Sequence, residues 1–191
     1  MSSRVHKLVL TGVFVALAIV VATFIRIDFQ FLTYEPKDVV ITIAGFILGP
    51  WLAAGIAALV AGIEMFTVGS ATGIIGLIMN AIASISFVVP AALIYRTKPS
   101  FMRAALGVLV GGITMTLVMI AWNYFLVPIF LGAPREVVVA MIPTLLLPFN
   151  AGKAAINAIL ILFLYEQVKR ALDAMGLGVS TMMVTREQLP E

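Results

Sequence analysis

Cysteine is absent from the chain and histidine occurs once, at His6. The first absence excludes disulfides and thiolate metal sites. His6 lies between Arg4 and Lys7 in a basic N-terminal flank, so a solvated side chain is the plainer reading than a metal ligand. Charge is scarce as well, at 11% of 191 residues. No Asp, Glu and His cluster has metal-ligand spacing, and no serine has an evident base, which leaves a catalytic reading without support. A net charge of +3 spread over the whole chain is no nucleic-acid footprint. No internal repeat and no low-complexity block is evident.

What the chain has is apolar surface: 62% hydrophobic residues and a mean hydropathy of +1.15. A soluble core of this size cannot hide that much, so the sequence predicts an integral membrane protein forming one bundle. The basic flank and the apolar run at 8–25 could suggest a signal peptide. The run is about 18 residues, long for that purpose, and no small-residue cleavage site follows it, so it reads as the first spanning helix. Further runs predict helices at about 38–49, 51–67, 74–95, 104–127 and 150–169. Gly49-Pro50 breaks the second from the third, and the stretch from Gly69 to Gly73 turns into the fourth. Gly107, Gly111 and Gly112 permit a tight contact on the fifth helix. A connector at 128–149 carries four prolines and a VVVAMI run read as a short interfacial helix. Residues 171–191 read as a polar cytoplasmic tail.

The run at 38–49 is only about 12 residues, roughly 18 Å of helix. Basic residues decide whether 38–67 is one span or a hairpin of two. Arg4 and Lys7 precede the first helix, Arg96, Lys98 and Arg103 lie between the fourth and fifth, and Lys169 and Arg170 follow the last. A hairpin puts all three clusters on one side, as the positive-inside rule requires. The expectation is therefore an all-α membrane protein of six transmembrane helices in one compact bundle, with both termini cytoplasmic. Residues 26–38, RIDFQFLTYEPKD, interleave charges with aromatics and read as a loop folded back over the bundle.

Polar residues inside the spans are few and fall into a pattern. Asn150, Lys153 and Asn157 stand at i, i+3 and i+7, along one helix face. Asn150 alone fits a headgroup-level helix end equally well, but the whole stripe favours a polar ligand. Ala151-Gly152-Lys153-Ala154 mimics the end of a phosphate-binding loop. Its opening position is Leu147 instead of Gly, and Ala154 offers no hydroxyl to a magnesium ion, so no ATP site is assigned. The expected topology brings Asn80, Asn123, Asn150, Lys153 and the Tyr34 loop to the outer face, which predicts an outward-facing pocket covered by that aromatic loop. Amides, one ammonium and aromatic faces suit a solute with a planar part and a hydroxyl- or carbonyl-rich part. Two readings stand for Glu64: a pair with Lys153, or a lean toward the outer interface. Gly12 with Ala16, and Ala18 with Ala22, form two small-x-x-x-small pairs on the first helix, suited to intramolecular packing or to a partner helix.

The motifs YEPKD (34–38) leading to GFILGP (45–50), TGIIGLIMN (72–80), LVMIAWNYFLVP (117–128) and PFNAGKAAIN (148–157) make the chain similar to a known family. It resembles the substrate-binding S components of energy-coupling factor (ECF) vitamin transporters, specifically the riboflavin-specific ones, over residues 7–170. The resemblance implies six helices, with riboflavin or a related flavin held by Asn123, Asn150 and Lys153 and its rings covered by the Tyr34 loop. Asn80, Glu64 and Asn157 complete the candidate site. The resemblance also implies a place in the prokaryotic plasma membrane. Its implied partners are a membrane coupling protein and two ATP-hydrolysing subunits, docked through the small-residue face of the first helix. There Gly12 stands where alanine is more usual. No enzyme activity and no cofactor beyond the transported vitamin are expected. An S component for another vitamin or a nucleobase-like solute is the nearest alternative; a lipid-headgroup enzyme or a self-contained channel lies further off.

Overall fold

The computed structural model describes residues 3–66, 73–132 and 134–174, and almost all of them are helical. In order these are α1 (Ser3–Phe24), a hairpin of β1 (Ile27–Phe29) and β2 (Leu32–Tyr34), α2 (Lys37–Leu48), α3 (Pro50–Glu64), α4 (Gly73–Thr97), α5 (Phe101–Leu131), α6 (Arg135–Met141) and α7 (Leu147–Ala174). Among the described residues, four helices are long and apolar enough to cross a membrane: α1, α4, α5 and the stretch from Arg135 to Ala171. α2 and α3, of 12 and 15 residues, are shorter. The turn expected at Gly69 to Thr72, and residues 175–191 of the expected tail, lie outside the described residues.

The short α2 is the buried centre. All but one of its residues are buried, whereas α1 rests on its flank and exposes Val9, Val13, Leu17 and Val20. The chain reverses from α2 into α3 at Gly49, whose φ of 98° and ψ of 164° fall in a region open essentially to glycine alone. Pro50 then starts α3 at a position where its missing N–H costs nothing.

α4 and α5 make the closest helix contact. A β-carbon on Gly107 would stand 2.6 Å from the Ala91 carbonyl oxygen, and one on Gly111 would press on the carbonyl of Phe87. The expected glycine contact is thus present, backbone against backbone. α5 continues through Pro128 to Leu131, four residues beyond its expected end at 127. The connector contains α6, held to α5 by the Arg135 guanidinium 5.7 Å from the centre of the Tyr124 ring. A widened π-type turn at Ile142–Leu146 links α6 to α7. Pro143 and Pro148 at its edges each lack the N–H that a regular helical ladder needs.

Within the expected loop at 26–38, residues 27–34 form a two-stranded lid, with Ile27 opposite Tyr34 and Phe29 opposite Leu32, and Lys37 and Asp38 already belong to α2. Gln30 takes the positive φ (57°) that a two-residue hairpin turn demands at its first position. Leu32 buries itself among Val127, Val138 and Leu146, so the lid is fastened to α5, α6 and the π-type turn before α7.

Gly107→Ala should lower stability by about 1–3 kcal/mol through overpacking against the α4 backbone. Gly55→Ala, with no neighbouring atom in reach, should be neutral or gain up to about 1 kcal/mol from helix propensity. Thermal unfolding of the two purified variants in detergent reads the difference.

Candidate functional site

A cavity of about 470 Å³ lies at one end of the bundle, under the hairpin. Arg26, Phe31, Leu32, Thr33 and Glu35 form its roof, Ala61, Glu64 and Met65 of α3 one wall, and Ile75 to Ala83 of α4 another. Met119, Leu126 and Val127 of α5 and Phe149, Asn150 and Lys153 of α7 close it. Because it gathers the start of α4, the last third of α5 and the start of α7, the basic clusters at Arg96, Arg103 and Lys169 fall at the opposite end of the bundle. At that far end Tyr95 stacks on Phe46, with ring centres 4.3 Å apart, and its hydroxyl lies 3.2 Å from that of Tyr165.

The polar floor is organised by the first turn of α2. Lys37 is buried and its ammonium donates to Glu35 Oε2 at 2.8 Å and to Glu64 Oε2. Asn80 Nδ2 donates to the same Glu64 oxygen at 2.8 Å. The next residue, Asp38, is fully buried and accepts from Ser84 Oγ at 2.5 Å. Its other oxygen lies 3.4 Å from Lys153 Nζ and 3.5 Å from Asn157 Nδ2. Asn157 Oδ1 in turn accepts from the Tyr34 hydroxyl at 3.1 Å. Successive helical residues point about 100° apart, so Lys37 and Asp38 serve different neighbours from one turn. Asp38 also gains from the positive end of its own helix.

Around the roof, Arg26 bonds Asp28 at 3.0 Å and approaches Glu35 to 3.6 Å. The hydrogen bond from Thr33 lowers the Asp28 carboxyl below its usual range, with Arg26 adding to the effect against a smaller burial penalty. Burial, then the negative charge of Asp38, raises the Tyr34 phenol above its usual value, which keeps it a neutral donor to Asn157.

Asn80, Asn150 and Lys153, expected at one depth, share one cavity, and Glu64 joins them there. Three expectations need correction. Glu64 pairs with Lys37, not with Lys153, whose partner is Asp38. Asn123 is fully buried and not among the lining residues; its Nδ2 donates to the Met119 carbonyl at 2.6 Å and its Oδ1 has no partner. Tyr34 and Asn157 are not among the lining residues; the Tyr34 hydroxyl is directed instead to Asn157 Oδ1. On α1, Ala18 and Ala22 have no exposure and pack inside the chain, whereas Gly12 and Ala16 face outward. The sequence reading missed Glu35, Lys37, Asp38 and Ser84. The available signal was the charged start of a short helix.

A helical membrane bundle with a lidded, ion-paired polar cavity at one end defines a solute-binding membrane protein in outline. Residues 6–165 match the family of the ECF transporter, substrate-specific component, and the chain belongs to that family. The solved structure of an S component of a bacterial ECF transporter is similar, with a TM-score of 0.76 and 26% identity, covering 89% of this chain and 99% of that one. No curated protein sequence matches. This is thus a membrane-embedded, substrate-specific transporter component, and ECF S components work with the subunits of a transporter module.

Lys37→Met would leave the buried Glu64 without a cation and Glu35 with Arg26 alone, and should cost about 3–5 kcal/mol. Adding Glu64→Gln should recover part of that loss, as the unfolding midpoint of the double variant would show.

Proposed function

We propose that this S component binds riboflavin in the lidded cavity and delivers it to an ATP-driven importer. The observation that carries this reading is the pairing of the cavity's cations. Every cation there is already paired, Arg26 with Asp28 and Glu35, Lys37 with Glu35 and Glu64, and Lys153 with Asp38, so no unpaired cation is offered to an anionic solute. What remains is hydrogen-bonding capacity from Asn80 and Asn150 beside apolar walls such as Phe31, Leu77, Met119 and Phe149. A planar, uncharged solute with a polyhydroxyl arm meets both halves. The volume falls in the range of small-molecule sites, about 300–1,000 Å³.

In this reading Asn150 and Lys153 hold polar groups of the vitamin. Asn123, whose side-chain oxygen is buried without a partner, turns from Met119 to join them. Six spans, with α2 and α3 as a helical hairpin, place both termini and the basic clusters in the cytoplasm and the cavity outside. The chain sits in the plasma membrane. A coupling protein and two ATPases dock on α1, where Gly12 and Ala16 are the exposed small pair.

Titration of the purified protein with riboflavin, followed by flavin fluorescence, tests the proposal. Saturable binding is expected, and none at micromolar vitamin would end it. A planar vitamin other than a flavin binding in its place would instead point to a sibling S component. Lys153→Ala and Asn150→Ala should each weaken binding by about 1–3 kcal/mol while the fold persists.

A further inference from the structure

We infer that Asp38 is the positioning residue of the cavity, fixing Lys153 on the wall and, through Asn157 and Tyr34, tying the lid to α7. Asp38 does not line the cavity, so its role is exerted through its neighbours. A carboxylate only accepts, and here its two oxygens meet donors from two helices: Ser84 of α4 on one, Lys153 and Asn157 of α7 on the other. That demand fixes the Asn157 amide. Its Nδ2 must face the acid, which leaves Oδ1 to accept the Tyr34 proton. The polar chain therefore runs one way, from lid hydroxyl to amide to carboxylate, and the ammonium that faces the solute ends on the same oxygen. Any solute that draws Lys153 toward the cavity acts on the oxygen that also anchors Asn157, so the wall and the lid share one joint. The Glu35–Lys37 pair and Leu32 fasten the lid independently. Loss of the Asp38 link should loosen the lid without dissolving the fold.

The wall half of this inference rests on the proposal that the cavity binds riboflavin; the lid half does not. Two arms separate them, both on the full chain in lipid nanodiscs. Without vitamin, hydrogen exchange across residues 26–35 should rise about tenfold in Asp38→Asn and in Tyr34→Phe, and the double variant should exceed neither single by much. Unchanged exchange in Asp38→Asn, or additive effects, would overturn the lid half. With vitamin, Asp38→Asn should weaken affinity about tenfold in the native background and less than about twofold beside Lys153→Met. Equal losses in both backgrounds would show a merely structural acid and overturn the wall half. Failure of the native protein to bind riboflavin would refute the flavin reading and, with it, the wall half, while the exchange arm still decides the lid. Should Asp38→Asn not fold, Ser84→Ala takes its place in both cycles, with the same signs and smaller factors.

Discussion

Lys37 and Asp38 open a helix almost wholly buried within the bundle, and their side chains are buried side by side. Removing two charges from water costs several kcal/mol each unless partners and hydrogen bonds replace the lost solvent. The polar cluster beneath the hairpin answers that requirement. Glu35 and Glu64 converge on the lysine, and Ser84, Lys153 and Asn157 on the aspartate, drawing α3, α4, α7 and the lid toward one turn. The apolar packing of α2, and the glycine-mediated approach of α4 and α5, set where these helices can stand. The ion pairs then fix how their polar ends face one another.

A cavity built on such a network has a distinct electrostatic character. Its charges are spent on each other, while amide groups and apolar side chains remain for the solute. This suits a component whose task is substrate recognition. The tyrosine and phenylalanine cluster at the far end packs the opposite half of the bundle with rings, so the polar groups stay at one depth.

Much of this was legible in the sequence, for identifiable reasons. Long apolar runs bounded by Gly, Pro and basic residues located α4, α5 and α7 to within a few residues at most ends. The separation of Asn80, Asn150 and Lys153 along the chain, combined with alternating helix direction, foretold their meeting in one cavity. What sequence could not supply was side-chain partnership. The sequence offered only Glu64 as an acid for Lys153, and the pairing with Asp38 instead depends on how α2 is turned in the bundle. Asn123 lies between Met119 and Val127 on a cavity-facing stripe, yet it bonds to its own helix and does not line the cavity. The lid's strand pairing escaped notice because two three-residue strands carry too little alternation to read. The small pair Ala18 and Ala22 looked like a docking face and proved to be interior, since small residues serve either purpose equally well.

The central claim is that a charge network around the start of α2, with each of its cations already paired, shapes a cup for an uncharged, planar solute. An experimental structure of the flavin-saturated protein tests it most directly. The account predicts the ring system beneath the hairpin, polar arm against Asn150 and Lys153, with the Lys37–Glu64 and Lys153–Asp38 pairs still made. Flavin seated elsewhere, or seated there only after those pairs separate and expose unmatched charge, would contradict it.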